Sequence, residues 1–542
     1  MNKQKLIALL GCCLLLQAAF AQKPAERPKI VVGMMVDQMR WDFLYRYSQR
    51  YGPGGFKRLL REGFSCENTL INYAPTVTAC GHTSVYTGSV PAVHGIISNG
   101  WYNRALNREM YCAEDSTVQP VGIPSEKGGM SPRNLLTSTV TDELRMATNF
   151  ESKVVGFALK DRGAIFPAGH SANAAFWYDG GSGKVVTSTY YMQELPAWVQ
   201  RFNDRKLPQQ LLANGWNTLY PLNTYKQSEA DNKDYEKPFG HEQLPVFPHQ
   251  FKGRENGNVR STPYGNTFTF EFAKAAIEGY GLGSGKVTDF LAVSFSSPDA
   301  VGHQFGPNSI EVEDVYLRLD KELAEFFSWL DQRFGKNNYL FFITADHGVS
   351  QSPGYLEEHR QPTGIINGKD AIAAVNKALD AQFGVPKGVL GVSAHQLYLN
   401  RPAFAERKVD MSVVEKTVIR VLKQQPGVVA AYSLSELGGA AIPEPAKTMF
   451  VNGFNEERGG DVLVIYKSGW KEGSRTGATH GLWYPYDAHI PLVWMGWGIK
   501  PGKTHRTTGM TDIAPTLAAL LNIQMPSGNV GHVVTEIFDA GK

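Results

Sequence analysis

Apolar positions along this chain follow two rhythms. The runs Ile30 to Val36, Lys153 to Leu159, Asp289 to Phe295, Tyr339 to Thr344 and Pro491 to Trp497 are nearly continuous, the pattern of strands buried on both faces. Between them the spacing lengthens. Ser309 to Phe334 carries Val312, Val315, Leu317, Leu319, Leu323 and Phe326, and Thr511 to Leu521 carries Ile513, Leu517, Leu520 and Leu521, which predicts helices with a buried face. Strands alternating with helices predict an α/β fold, a mostly parallel central sheet flanked by helices. In such sheets the ligand crevice lies beyond the carboxyl ends of the strands.

Three stretches break the rhythm. Gln119 to Asn134 is rich in Gly and Pro, and Leu222 to Asn266 is polar with several prolines; both predict surface excursions or lid segments. Lys369 to about Val451 has strand and helix signals of its own, in Val389 to Leu399 and Met411 to Leu422, and predicts an inserted smaller subdomain. The expected layout is a leader over 1–21 and a catalytic domain over 22–542, with insertions near 101–134, 160–266 and 369–475. Internal repeats and low-complexity runs are absent from the sequence.

The leader rests on Lys3 and Lys5 ahead of the apolar run Leu6 to Leu16, with Ala19-Phe20-Ala21 as a small-x-small cleavage site. That is the form of a secretory signal peptide, cleaved near Ala21. The run is too short to span a bilayer, and no later stretch approaches ~20 apolar residues, so no transmembrane segment is expected. Cleavage takes the formal charge from +3 to +1 by removing two lysines, and leaves Cys66, Cys80 and Cys112 of the five cysteines. Near-neutral charge argues against a nucleic-acid partner. An odd thiol count permits one disulfide at most in an oxidising compartment.

Candidate chemistry sits beside the strand-like runs. Val36-Asp37-Gln38, Pro75-Thr76-Val77-Thr78-Ala79-Cys80-Gly81-His82, Ser297-Pro298-Asp299-Ala300-Val301-Gly302-His303, Thr344-Ala345-Asp346-His347-Gly348 and Ala478-Thr479-His480-Gly481 supply three aspartates, three histidines and a threonine hydroxyl. Carboxylate mixed with imidazole suits zinc better than calcium or magnesium. Asp299 and His303 are four apart, so a helical turn puts both on one face. Asp346 and His347 are adjacent, and Gly348 is expected to permit the turn that lets both converge.

Each fragment also has an ordinary explanation. An aspartate at a strand end is commonly a cap or turn residue, and Thr76 or Thr78 can simply cap a helix running to Gly88. His82, His94 and His170 are assigned structural hydrogen bonds. Asn99-Gly100 is a favoured hairpin-turn pair. Lys160 and Arg162 follow a strand, and if the chain stays extended they point the same way. The recurrence of ligand-type residues near several strand ends of one sheet pattern outweighs these separate explanations.

In order and spacing these fragments resemble the alkaline phosphatase superfamily, most closely its phosphate-irrepressible alkaline phosphatases with a threonine nucleophile. The likeness runs from Val31 to Thr511-Asp512-Ile513-Ala514-Pro515-Thr516-Leu517. It implies two Zn2+ ions, one held by Asp299, His303 and His480, the other by Asp37, Asp346 and His347 with the Thr78 oxygen beside it. It implies that Thr78 attacks phosphorus, that a phosphothreonine intermediate is hydrolysed, and that configuration at phosphorus is retained overall. Asn99, Lys160 and Arg162 would bind the phosphoryl oxygens, and the cationic pair favours phosphate monoesters over diesters. The implied protein is a secreted or periplasmic phosphomonoesterase acting on small-molecule monoesters. Oligomeric state stays open, with a monomer favoured.

The nearest rival is a nucleotide pyrophosphatase or phosphodiesterase of the same superfamily, against which Lys160 and Arg162 argue. A sulfatase needs a C/S-x-P-x-R motif that Cys80-Gly81-His82-Thr83-Ser84 lacks. Export argues against a cofactor-independent phosphoglycerate mutase. A non-catalytic zinc- or phosphate-binding protein would be expected to have lost a ligand or the nucleophile.

Overall fold

The computed structural model describes residues 27–124 and 129–539; the expected signal peptide over 1–21 lies outside them. An eleven-stranded sheet organises the chain. Its main strands are β1 (Ile30–Val36), β2 (Phe64–Leu70), β3 (Val154–Ala158), β4 (Ala174–Asp179), β5 (Lys184–Ser188), β6 (Asp289–Phe295), β7 (Tyr339–Thr344), β8 (Leu492–Gly496) and β9 (Gly502–Gly509). Their order is β2-β8-β7-β1-β6-β3-β4-β5, with β9 and His489–Ile490 beside β2, and Pro120–Val121 beside β5. The central strands β7, β1, β6, β3 and β4 run parallel.

All the predicted runs are strands, and every residue of β1, β6 and β7 is buried. The run at Pro491 to Trp497 forms β8, which is antiparallel to β7. A continuous apolar run reports burial on two faces, not direction, and β8 lies inside the sheet between β7 and β2.

Helices cover the sheet: α1 (Thr78–Thr87), α2 (Asp161–Ala168), α3 (Tyr264–Tyr280), α4 (Ser297–Phe305), α5 (Ile310–Phe334), α6 (Gly368–Phe383), α7 (Met411–Leu422) and α8 (Ile513–Leu521). The Ser309 side chain accepts from Val312 N to start α5, whose buried stripe is the predicted one. Residues Met510–Asp512 form a 3-10 turn, so α8 begins two residues after the predicted start.

The segment from α6 onward carries a separate four-stranded sheet, in the order Val389–Ser393, Gln396–Leu399, Val462–Tyr466, Val428–Ser433. It is packed with α6 and α7 through Val375, Leu379, Val414 and Val418. The apolar run Val389 to Leu399 is a hairpin that turns at Ala394 and His395, both at positive φ. The polar stretch before α3 holds only short helical turns, Leu222–Thr224, Glu255–Asn258 and Val259–Ser261. Among the described residues no helix is long and apolar enough to cross a membrane. Cys66, Cys80 and Cys112 are free and buried.

Candidate active site

Three neighbouring parallel strands deliver three carboxylates to one edge. Asp37 follows β1, Asp346 lies just past β7, and Asp299 is in the first turn of α4, which follows β6. Because β6, β1 and β7 are adjacent and parallel, their carboxyl ends coincide, and the acids meet. Helix α1 is seated directly on that edge. A Cβ on Gly81 would lie 2.3 Å from Asp346 O, so only glycine lets the first turn of α1 approach the end of β7 this closely. Gly348 works differently from the expectation. It is not among the positive-φ residues; a Cβ there would lie 2.2 Å from Tyr486 O, so close approach is what requires it. The left-handed residue at this edge is Gln38, with φ 68.

The three histidines share one design. His303 Nδ1 meets Ala478 O at 2.9 Å, His347 Nδ1 meets Gly348 O at 3.0 Å, and His480 Nδ1 meets Thr76 O at 2.7 Å. A carbonyl accepts only, so each Nδ1 carries a proton and each Nε2 is the atom turned to the site, the arrangement that orients metal-binding imidazoles. Those Nε2 atoms face carboxylates. His303 and His480 lie 3.2 and 3.6 Å from Asp299 Oδ1, and His347 lies 3.6 Å from Asp37 Oδ1 and 3.4 Å from Asp346 Oδ2.

Two groups have ligand atoms clustered closely enough for a shared ion: Asp299, His303 and His480, and Asp37, Asp299 and His347. The first is the expected trio. In the second, Asp299 takes the place expected for Asp346, which instead stands beside His347. Asp37 Oδ1, Asp346 Oδ2 and His347 Nε2 are buried without a hydrogen-bond partner. Orphaned acceptors in a dry carboxylate–imidazole set fit a divalent cation, and the mixed O/N donors fit zinc.

Lys160 completes the electrostatics. Only 7% exposed, its ammonium lies 2.6 Å from Asp37 Oδ2 and 2.5 Å from Asp299 Oδ2. It therefore holds the Oδ2 atoms while the imidazoles face the Oδ1 atoms. Burial pushes Asp37 upward, as do Asp299 and Asp346, with Lys160 opposing. Burial also acts to raise Asp299, but Lys160, His303 and His480 hold it well below the usual carboxylate range. Asp346 is held low against burial by His347, His82 and Lys160. Burial lowers His347 and, with its neighbours His347 and His303, lowers His480. Asp299 raises His303 against burial, so an ion bound here would displace protons from His303 and Asp37, since ligation takes ionised acids and neutral imidazoles.

Thr78 is the first residue of α1 and 1% exposed. Neither threonine caps the helix. The N-cap is Val77, without a side-chain bond, and Thr76 donates to Leu482 O. Asn99 Oδ1 instead accepts from Ala79 N at 2.9 Å, and it precedes a strand, Gly100–Asn103, without forming the turn of a hairpin. Thr78 Oγ1 is left 3.4 Å from Lys160 Nζ. Lys160 and Arg162 do not share an extended strand, because the chain turns into α2 at Asp161. Lys160 enters the acid cluster, and Arg162 Nη1 donates to Tyr111 OH at 3.0 Å.

Three contacts carried no sequence signal of their own. Gln38 donates through N to Asp346 Oδ1 and through Nε2 to Asp299 Oδ1, at 3.1 and 2.8 Å. Tyr111 bridges Arg162 and Asp161. His82, assigned a structural bond, does contact Thr78 O and Ser294 Oγ, but its Nδ1 is also 3.3 Å from Asp346 Oδ2. His94 and His170 keep structural bonds, to Ser84 Oγ and Thr137 O.

A mostly parallel sheet with acids and imidazoles gathered beyond its central strands is the architecture of the alkaline phosphatase superfamily. Within it, the chain belongs to the type I phosphodiesterase / nucleotide pyrophosphatase family, whose model matches residues 31–487. It is 51% identical over 528 residues to alkaline phosphatase PhoV of Synechococcus elongatus, covering 96% of this chain and 95% of that one. It is 49% identical over 537 residues to alkaline phosphatase PafA of Elizabethkingia meningoseptica, covering 98% of each. The crystal structure of wild-type PafA superposes with a TM-score of 0.93, covering 95% of this chain and 100% of that one at 49% identity.

Proposed function

We propose that this protein is an alkaline phosphatase, a periplasmic or secreted phosphomonoesterase that binds two zinc ions and releases phosphate from small-molecule monoesters. The observation that carries it is the Thr78 hydroxyl: buried, free of capping duty, at a helix N-terminus, and 3.4 Å from an ammonium that bridges Asp37 and Asp299. Near-half identity to two alkaline phosphatases over almost the whole chain supports it.

Asp299, His303 and His480 would hold one ion, and Asp37, Asp299 and His347, with Asp346 alongside, the other. Bound there, the ions supply Lewis acidity, which favours ionised oxygens at neutral pH and balances charge on the leaving group. Thr78 Oγ attacks phosphorus as the ester P–O bond breaks, giving phosphothreonine and the free alcohol. Water then cleaves the phosphothreonine bond and phosphate departs. Two displacements at phosphorus give net retention. The N-terminal dipole of α1 favours the phosphoryl anion over Thr78. Asn99 holds Ala79 N with its oxygen, which leaves its amide nitrogen as the group able to donate to a phosphoryl oxygen. Lys160 and Arg162 oppose the extra negative charge that distinguishes a monoester dianion from a diester.

The test is kcat/KM for a phosphate monoester and its matched methyl diester, on zinc-loaded and chelator-treated enzyme, with a Lys160→Ala/Arg162→Ala variant beside wild type. Zinc-dependent preference for the monoester is expected. The variant should lose on the order of 10²-fold or more on the monoester and much less on the diester. A preference for the diester would assign the activity that the family description names, and equal losses on both substrates would remove the pair's assigned role. Export is checked by N-terminal sequencing of the secreted protein, which should begin at Gln22.

A further inference from the structure

One segment, from 478 to 487, reaches the surroundings of all three histidines of the site. Its first carbonyl, Ala478 O, takes the proton of His303 Nδ1, and His480 lies within it. Before His480, Thr479 O accepts from the amide and the hydroxyl of Ser350, at 3.0 and 2.7 Å. After it, Leu482 O accepts from Thr76 Oγ1 at 2.7 Å, and Leu482 N donates to Asp487 Oδ2 at 2.9 Å. Asp487 lies in a short helix, Pro485–Ala488, and is 0% exposed. Its own carbonyl accepts from Gly348 N at 2.8 Å, and Gly348 O is the acceptor for His347 Nδ1.

Asp487 thus joins two loops. Its main chain fastens it beside His347, a bond that any residue could make. Its side chain reaches the amide two residues after His480, and that bond needs an acceptor at this position. What the link holds is visible in the rings. The imidazoles of His347 and His480 are stacked, with centroids 3.5 Å apart and planes at 13°, although each belongs to a different ligand group. Both rings send Nδ1 to a carbonyl, so their register is set by the backbone that carries them. Between His480 and Leu482 the chain passes through Gly481 at φ 118, a conformation that gives the loop freedom unless it is tied. The tie is a costly one. Asp487 Oδ1 is buried without a hydrogen-bond partner, and burial pushes the acid well above the usual carboxylate range, opposed by the Leu482 and Gly481 amides and by Arg40. A carboxyl group buried for so few bonds works against stability, which points to a role in the site.

We propose that Asp487 is a positioning residue for the two-metal centre: by tying the Leu482 amide to the backbone beside Gly348, it holds His480 in register with His347, one ligand from each group. This rests on the two-zinc reading above. Groups that orient metal ligands from behind commonly govern metal affinity by 10- to 100-fold. Asp487 acts one step further back, on the loop and not on an imidazole, so its effect belongs at the lower end of that range.

The test is zinc affinity, measured by competition with a chromogenic chelator, together with the Tm of the metal-free protein. Wild type should bind two ions. Asp487→Asn keeps an oxygen to accept from Leu482 N and should bind both within about threefold of wild type. Asp487→Ala and the isosteric Asp487→Leu have no acceptor. Each should bind at least one ion about tenfold more weakly, and kcat lost at limiting zinc should return when zinc is in excess. Either acceptor-free variant that folds decides the matter. Zinc affinities at wild-type values with a lowered metal-free Tm would make Asp487 a packing residue and overturn the proposal. A tenfold loss in Asp487→Asn would assign the role to charge and overturn the hydrogen-bonded tie. Wild type that takes up no zinc would overturn the two-metal reading itself, and this inference with it.

Discussion

Two clusters of acids and histidines use the same residue types to opposite ends, and the difference lies in what each histidine faces. At the strand ends, His303, His347 and His480 each fix the Nδ1 proton on a backbone carbonyl and turn Nε2 toward a carboxylate oxygen. In a loop cluster, between the polar stretch before α3 and the start of α5, His249 meets the carboxylates of Glu242 and Glu311 with its two nitrogens. A carbonyl contact fixes the proton on one nitrogen and leaves the other to face an ion; two carboxylate contacts favour the charged form. The strand-end cluster thus brings nitrogen and oxygen donors together as a metal centre requires, whereas the loop histidine is used to face two acids.

The hardest blow to this contrast falls on Asp299, which belongs to both ligand groups at the strand ends. Asp299→Asn should lower monoester kcat/KM by on the order of 10⁴-fold or more, because both ions supply transition-state charge stabilisation. Zinc content by elemental analysis should fall by more than one ion per chain. Loss of a single ion would mean that the groups do not share Asp299. Thr78→Ala should cost somewhat less, on the order of 10³- to 10⁴-fold, since binding and charge stabilisation persist without the nucleophile. Its zinc content should match wild type, and a phosphorylated residue trapped at low pH in wild type should be missing.

Much of the strand-end site was legible in the sequence because a parallel sheet converts strand order into proximity. Asp37 lies hundreds of residues before Asp299 and Asp346, yet each follows an unbroken apolar run, and buried parallel strands end at a common edge. His480 follows no strand of the central sheet, so residue type marked it as a candidate and only the family likeness assigned it to an ion. The loop cluster had no such guide. Glu242 and His249 sit in irregular backbone, where spacing carries no geometric information, and Glu311 reads as an ordinary first-turn acid. Lys160 and Arg162 were found, but their extended geometry was not, because Asp161 starts a helix that periodicity over eight residues did not announce.

A milder perturbation reaches the centre through Arg162. Tyr111 arrives from the strand Arg108–Tyr111, and its hydroxyl is 3.0 Å from Arg162 Nη1. Tyr111→Phe removes one hydrogen bond and leaves the guanidinium in place. Monoester kcat/KM should fall by about five- to tenfold, the worth of one such bond. The inhibition constant for product phosphate should rise in parallel while Tm holds. A fall in Tm with phosphate affinity unchanged would make Tyr111 a packing residue only.

His94 supplies a third kind of imidazole, and with it the smallest effect. Its Nδ1 accepts from Ile96 N at 3.1 Å and its Nε2 meets Ser84 Oγ at 3.1 Å, so protonation at Nδ1 would break a backbone bond. Burial, followed by the nearby Arg458 guanidinium, takes it from the ordinary 6.5 down to about 3. A depressed folded-state value means that the neutral form stabilises the fold above the unfolded value of 6.5, and that this contribution is lost as pH falls from there toward about 3. The slope is at most ~1.4 kcal/mol per pH unit. His94→Asn keeps an acceptor for Ile96 N and cannot titrate. Urea melts of both proteins at about pH 7 and about pH 5 should show wild type losing ~1–2 kcal/mol more than the variant. Metal release on acidification destabilises both equally, so the difference isolates His94. Parallel losses would mean that His94 stays neutral in neither state and that its surroundings relax to accept the charge.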